Sequence, residues 1–528
     1  MYEEDLNNLK PYSNVSKVGA SEVGSLLKSL SQNANNSLMD KIDDISLSEK
    51  QLHVLTGLTW DNLDELTKML QSMKNSSSRT VKQALVVFLF KIKSGKSNSF
   101  ISSMLDLQNE QVVSEYCSAV IKSFEKDILS KHFGINAASR EELITAHTTE
   151  IAAKLLDSTN NLIIICDGTY IKHQKSKNNT YQRKSYSGQK KYPLCKPFTI
   201  CCTDGYIIDM LGPFNGTAND ATILRKMLGD NDGLPKLLKD RDIFVVDREF
   251  RDVVDELKEK NFSVYMPALK GNRSQLPTLE ANQSRVVTKI RWTVEAVHGI
   301  LKQKYNLLGG TVDNKLLPKI ASITRIACFL QNKFGKRLQS DVGNTEDVIH
   351  SIQSRLTTDN SLANFVDQNN LTRKKKKFEK VSSENLLDFP ELNEDALKQL
   401  FSGTYQLSQA ICYLGELIEA DGTIKIEFAR ELDLIRVQIH SRHVNKNKYT
   451  AYMEYTPNLN AIEGVKRYCC SCPNGRRTIG CCSHVAATIY YLANARFKSK
   501  IVRPSEILTN IFDNDQIIPV IEENSDED

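Results

Sequence analysis

From Leu55 onward apolar residues recur at helical spacing, and polar clusters break the pattern into short blocks. Thr59 is placed to cap a helix over 60–73 and Thr80 one over 81–93, with Ser-rich or Gly-containing turns between them. Two more helices are predicted over 97–105 and 110–129, around the turn Asp106-Leu107-Gln108-Asn109. Short helix, tight turn and longer helix have helix-turn-helix proportions. A plain helical bundle fits the same pattern, and Glu110 and Glu115 on the second helix argue against DNA contact there. Upstream, residues 1–49 are rich in Ser and Asn without a sustained apolar period, which predicts a loose arm with one short helix near 23–30.

After Asn160 the period changes from helical to alternating. Residues 162–165 form a buried strand that runs into Cys166-Asp167-Gly168, and strands 198–203 and 206–211 pair across Asp204-Gly205. A helix over 218–228, a strand over 243–246 ending at Asp247, a helix over 252–260 and a strand over 263–266 follow. A long helix over 286–305 and a packed helix over 319–334 complete the unit. Strands interleaved with helices predict an α/β fold with a mixed sheet over 158–335, behind an all-α region over 50–150. Residues 336–390 are polar and charged and read as a basic, flexible linker. A small α+β unit is predicted over 391–515, with strands near 423–428, 434–440 and 450–455 and a helix over 484–494, before an acidic tail over 516–528.

A length of 528 residues agrees with about three domains. The longest apolar stretches, 84–90 and 162–166, fall far short of the roughly 20 residues that cross a bilayer, so no membrane partner is expected. The start, Met1-Tyr2-Glu3-Glu4-Asp5, is acidic and lacks the apolar region of a secretory signal, which leaves cytosol or nucleus. In a reducing compartment the twelve cysteines, five of them within 469–482, point to thiols and a metal site.

The net charge of +5 says little, but its placement is uneven. Residues 161–200 hold eight Lys or Arg against one acid, Asp167. There Lys172, Lys175, Lys177, Arg183, Lys184, Lys190 and Lys191 are interleaved with Tyr170, Tyr181, Tyr186 and Tyr192, a track for DNA phosphates and stacked bases or else a flexible basic loop. The unbroken run 373–377 reads as a nuclear import signal or phosphate patch, against a solvated linker.

Phosphodiester cleavage without a covalent intermediate is often managed by two divalent cations about 3.5–4 Å apart, which demand oxygen ligands. Asp167 closes the first strand and Asp247 the fourth, so parallel packing of those strands would bring both to one sheet edge. Glu295 shares a helix face with Arg291, His298 and Lys302, opposite the apolar stripe Ile290, Val294, Val297 and Leu301. Each carboxylate has a structural alternative: Asp167 as a turn residue, Asp247 as a helix cap, Glu295 as the i, i+4 partner of Arg291.

On the segments Cys166-Asp-Gly-Thr-Tyr170, Gly216-Thr-Ala-Asn-Asp-Ala-Thr-Ile-Leu224, Val246-Asp-Arg-Glu-Phe250 and Arg291-Trp-Thr-Val-Glu-Ala-Val-His-Gly-Ile-Leu-Lys302, residues 160–330 resemble the DDE superfamily endonuclease domain of Harbinger-like and related cut-and-paste transposases. Residues 50–128 resemble the helix-turn-helix region that precedes such a nuclease. The resemblance implies a ribonuclease-H-like fold, Mg²⁺ or Mn²⁺, and Asp167, Asp247 and Glu295 as catalytic metal ligands. Where the family usually carries Gly after the second Asp pair, this chain has Glu249, an added carboxylate that bears on competence. Asp220 is either an accessory acid or a helix N-terminal charge.

Cys470-Ser471-Cys472 and Cys482-Ser483-His484 offer two pairs of soft ligands separated by nine residues, suited to tetrahedral Zn²⁺. In extended chain an i, i+2 spacing turns both side chains one way. The pattern resembles the SWIM zinc finger, with strands before it and a helix after; buried unmetallated thiols are the alternative, and Cys469 or Cys481 could serve in a shifted register. A closed four-ligand site organises a surface, here with Arg476 and Arg477 offered to nucleic acid or an acidic protein.

The leading expectation is therefore a nuclear, transposase-derived DNA endonuclease with a zinc module, for which an oligomer is compatible. Against it stand a catalytically silent, host-adopted DNA- or protein-binding factor, and a zinc-dependent interaction protein whose central unit is scaffold only.

Overall fold

The computed structural model describes Ser21 and residues 37–158, 160–230, 233–339, 345–373, 377–418, 424–441 and 447–498. The helix expected near 23–30, Lys374–Lys376 of the basic run, the first residue of the strand expected at 423 and the acidic tail lie outside them.

The central layer is built on β1 (Ile163–Gly168), with two short strands beyond it, β2 (Ile171–His173) and β3 (Tyr186–Ser187). The meander continues through β4 (Tyr192–Cys201) and β5 (Ile207–Asn215), all antiparallel. On the other side of β1, β6 (Ile243–Val245) and β7 (Ser263–Tyr265) add in parallel. A short β8 (Thr311–Val312) pairs with β2, which itself edges β4. The order β5-β4-β1-β6-β7, three antiparallel strands followed by two parallel ones, is a ribonuclease-H-like sheet.

Alternation along β1 feeds two cores, as a strand covered on both faces requires. Ile164 and Cys166 join Phe198, Ile200, Phe244 and Val246 beneath the helix Asp220–Leu228. Ile163 and Ile165 face the other way, against Val286, Ile290 and Val294 of the helix Thr278–Lys304. That helix starts two turns before the expected 286, directly after Pro277.

The N-terminal helices share a third core with the sheet layer. Val81–Ser94 is buried nearly all round, and Val113, Tyr116 and Val120 of Glu110–Ser123 turn inward with it. These residues pack on Ile207 and Met210 of β5, on Val297 and Leu301, and on the helix Ile320–Phe334. Thr59 and Thr80 cap their helices as expected, accepting from the backbone N–H of Asn62 and Gln83.

The stretch read as a flexible linker is a correction. Helices Thr345–Leu356 and Ser361–Gln368 occupy it. Their narrow apolar stripes dock: Val348 and Ile352 on the core under β1, Leu362 and Val366 against Tyr452 and Cys469. Polar outer faces hid those stripes in a composition-based reading.

The C-terminal unit is an antiparallel sheet of β9 (Glu379–Val381), β10 (Ile426–Ala429), β11 (Leu434–His440), β12 (Lys448–Tyr455) and β13 (Val465–Cys470), in spatial order reversed from β13 to β9. Helices Thr404–Leu417 and Ser483–Ala493 cover it. Among the described residues no helix is long and apolar enough to cross a membrane.

Candidate active site and metal centre

The parallel register of β1 on β6 pairs Ile163 with Ile243 and Ile165 with Val245. Carried two residues further, it brings Asp167 level with Asp247 at the C-terminal edge of the sheet. Asp167 lies within its strand, opposite Thr199 of β4, so the turn reading does not apply to it. Asp247 does cap: its Oδ1 accepts from the Glu249 N–H at 2.8 Å, opening the short helix Arg248–Val253.

The polar face of the long helix turns toward this edge. Arg291 Nη1 lies 3.7 Å and His298 Nδ1 3.8 Å from Asp167 Oδ2, and Lys302 donates to Thr169 Oγ1 at 2.8 Å. Burial pushes the His298 imidazole down to about 3, so it is neutral, and its Nε2 is bonded to Thr199 Oγ1 at 2.8 Å. Glu295 is paired with Arg291 one turn away, and its side chain is half exposed. The i, i+4 partnership considered from sequence is thus present, and Arg291 stands between Glu295 and Asp167.

Behind the edge Asp220 forms a buried pair with a lysine that no sequence motif marked. Lys196 Nζ of β4 sits 3.0 Å from Asp220 Oδ1, donates to the Ala218 carbonyl at 2.9 Å and lies over the Tyr170 ring. Both side chains are essentially inaccessible. A Cβ on Gly168 would come within 2.5 Å of Asp220 Oδ1 and 2.9 Å of Lys196 Cδ, so glycine after Asp167 is what lets the pair close. Asp220 is both the first residue of its helix and a charge anchored beneath the site. The available signal was a lone Lys inside a strand of otherwise buried residues, Leu194-Cys195-Lys196-Pro197-Phe198.

Carboxylates crowd here. Burial pushes Asp167 up to about 7, opposed by Arg291 and reinforced by Asp247, Asp220 and Glu295. Asp220 is raised to about 6 by burial, with Lys196 opposing and Glu249 adding to the shift. Asp247 is also raised by burial. Concentrated, partly desolvated oxygen ligands of like charge fit a hard divalent cation. Among the described residues they do not form a set with all ligand atoms within 4.8 Å; the Cys/His group alone does.

The basic stretch beside the edge is partly folded rather than a free loop. Asn179–Ser185 is a helix, and Lys172 and Lys190 lie over the rings of Tyr192 and Tyr170. Tyr181, Tyr186 and Tyr192 remain exposed.

In the C-terminal unit Cys470, Cys472, Cys482 and His484 have ligand atoms within 4.8 Å of one another, and all four are buried. Cys470 ends β13, the Cys472 N–H donates to Cys470 Sγ at 3.4 Å, and the chain reverses so that the Cys470 N–H bonds the Gly475 carbonyl. Any Cβ on Gly475 would overlap the Cys470 carbonyl. Cys482 and His484 open the helix Ser483–Ala493, with His484 Nδ1 at 3.9 Å from Cys470 Sγ and its ring against Tyr413 and Tyr449. Burial raises the Cys470 thiol well above its ordinary value; burial acts likewise on Cys482, but hydrogen bonds from Cys470, Cys472 and His484 hold it well below. Such a soft, convergent donor set fits a metal ion. Cys469 and Cys481 stay outside the set, in the cores on either side.

This centre is clasped to the long helix. Gln275 Nε2 donates to the carbonyls of Cys470 and Cys472 at 2.7 Å each, and Leu276 N–H to the Pro473 carbonyl. Asn282, fully buried, accepts from Thr478 and Ile479 N–H and donates to Thr478 Oγ1 and the carbonyls of Arg355 and Leu356.

Residues 166–332 match the family model of the DDE superfamily endonuclease. Nothing among the curated proteins matches the chain. Among solved structures it is similar to the Mos1 strand transfer complex, with 13% identity, a TM-score of 0.16, and coverage of 50% of this chain and 81% of that chain. It is likewise similar to the Mos1 transposase paired-end complex with left transposon end, with 14% identity, a TM-score of 0.19, and coverage of 54% and 78%.

Proposed function

We propose that this protein is a transposase-like, metal-dependent DNA endonuclease whose active edge is formed by Asp167, Asp247 and Glu295. The observation that carries the reading is the parallel pairing of β1 with β6, which levels Asp167 with Asp247 inside the segment matching the endonuclease family. Asp167 and Asp247 would hold Mg²⁺ or Mn²⁺, and Glu295 would complete the set after leaving Arg291. When bound, such ions activate the attacking oxygen and stabilise the leaving one. The chain's own residues supply the rest. His298, neutral and fixed by Thr199, and Arg291 orient Asp167; Lys196 and Asp220 brace the strand beneath it; the cations of 172–191 meet the DNA backbone. The nucleophile would be water or a DNA 3′-hydroxyl.

The Cys470, Cys472, Cys482 and His484 cluster is assigned to Zn²⁺ in a SWIM-type finger with a structural role. The basic run 373–377 supports nuclear localisation, and the zinc module offers a surface for a protein partner.

Two observations favour a silent, host-adopted DNA- or protein-binding factor instead: Arg291 ties up Glu295 and stands beside Asp167, and Glu249 adds an extra acid to the second motif. Titrating DNA nicking by the purified protein with Mg²⁺ or Mn²⁺, beside Asp247→Ala, decides between them. The nuclease reading expects nicking that the variant loses by at least about a hundredfold. Equal inertness of both proteins sinks it.

A further inference from the structure

Between the long helix and the metal module lies a cleft of about 960 Å³, reaching Arg291 and Glu295 at one end and the cluster residues Cys472, Cys482 and His484 at the other. Two buried guanidiniums form part of its wall, Arg285 from the helix and Arg477 from the loop joining the two ligand pairs. Arg285 donates Nη2 to Gln406 Oε1 at 2.7 Å and to the Ser402 carbonyl at 3.3 Å. The Nε of each arginine is buried without a partner among the described residues. They also repel: burial pulls Arg285 down to about 9, and Arg477 is the next cause.

Cations removed from water are normally matched by a carboxylate, because an unmatched buried charge costs several kcal/mol. The cluster thiols Cys472 and Cys482 line the same cleft, but neither hydrogen-bonds either guanidinium among the described residues. Glu295 is its single lining carboxylate among the described residues, and that is held by Arg291. Lys289 adds a further cation to the wall. Two guanidiniums in one wall, each with an unpartnered Nε, are suited to an oxyanion. Trp292 and Tyr405, 46% and 49% exposed, add aromatic faces to the same cleft, and Arg291 and Glu295 connect it to the Asp167 edge.

We propose that this cleft holds a single nucleic-acid strand, with Arg285 and Arg477 gripping one backbone phosphate and Trp292 and Tyr405 stacking on its bases. A phosphate anion fits the arginines by itself; the aromatic faces and the continuity with the carboxylate edge select the strand. The strand's origin at that edge rests on the endonuclease reading, whereas the phosphate grip rests on the guanidiniums alone.

Fluorescence anisotropy of a short labelled single-stranded oligonucleotide, with zinc-loaded full-length protein and no added Mg²⁺ or Mn²⁺, tests the proposal. Arg477→Gln and Arg285→Gln should each weaken binding about tenfold or more. Trp292→Ala should weaken it about fivefold. The assay contains no catalytic metal, so strand binding is measurable even in a protein that fails to nick DNA.

Thermal midpoints and zinc content separate gripping from folding. The test is read on Arg477, since Arg285 also bonds Gln406 and Ser402: an Arg477 needed only for structure lowers the midpoint when replaced, whereas relief of unmatched repulsion holds or raises it. Inorganic phosphate should raise the wild-type midpoint and not that of Arg477→Gln. Strand affinity unchanged in Arg477→Gln and Trp292→Ala overturns the proposal. So does a phosphate-dependent midpoint with unaltered strand affinity, which would mark a site for free phosphate.

Discussion

Burial and like charge act together on Asp167 and push its carboxyl up to about 7. In the unfolded chain an Asp titrates near 4, so the folded protein binds the extra proton between those values. Stability from this group is therefore present below about pH 4 and is lost as pH rises through about 7. Asp167→Asn removes the penalty. In Mg²⁺-free buffer at pH 8 the variant should be more stable than wild type by on the order of 2–4 kcal/mol, a shift of several degrees in melting midpoint, with the gap closing toward pH 5. Adding Mg²⁺ or Mn²⁺ at pH 8 should raise the wild-type midpoint and leave the variant's in place. A variant that melts below wild type at pH 8 would mean that Arg291 already neutralises Asp167.

The long helix Thr278–Lys304 connects the two candidate sites, and its first two turns do the coupling. Residues 278–285 lack a strong apolar stripe and are anchored through polar groups, Asn282 to Thr478 and Ile479 and Arg285 to Gln406 and Ser402. Asn282→Ala would strand the carbonyl of Leu356 and the N–H groups of Thr478 and Ile479. A loss of about 2–4 kcal/mol is expected, as for a buried polar network broken on one side. Calorimetry should show either a lowered midpoint or a separate C-terminal transition. An unchanged single transition would show that the apolar contacts of Ile479 suffice to hold the module. The helices Thr345–Leu356 and Ser361–Gln368 follow the same logic: short stripes that are weak in isolation and stable once docked.

At the scale of the whole molecule, the Cys/His cluster is part of the wall that supports the long helix. Gln275 holds the carbonyls of Cys470 and Cys472, whose positions depend on the ligand cluster. Chelation should therefore loosen residues 275–285 as well as 465–493. Hydrogen exchange with and without a zinc chelator reads this directly. Protection lost at 465–493 alone, with 275–285 unaffected, would establish that the two units are independent. If both respond, readdition of Zn²⁺ should restore both.

Local pattern was enough for the strands around Asp167 and Asp247, the hairpin at Asp204-Gly205, the caps at Thr59 and Thr80 and the Cys/His pairs, because each is written in neighbours a few residues apart. It also showed three acids in an order that a ribonuclease-H-like sheet could gather. Tertiary contact alone determined that Lys196 is neutralised by Asp220 beneath Gly168, that Arg291 intervenes between Glu295 and Asp167, and that the supposed linker folds. Those outcomes depend on charges and stripes brought together across more than a hundred positions in some cases, as with Asp167 and Arg291. Sequence periodicity carries no record of such distant partners, since a buried polar group looks the same as a solvated one until its match is in place.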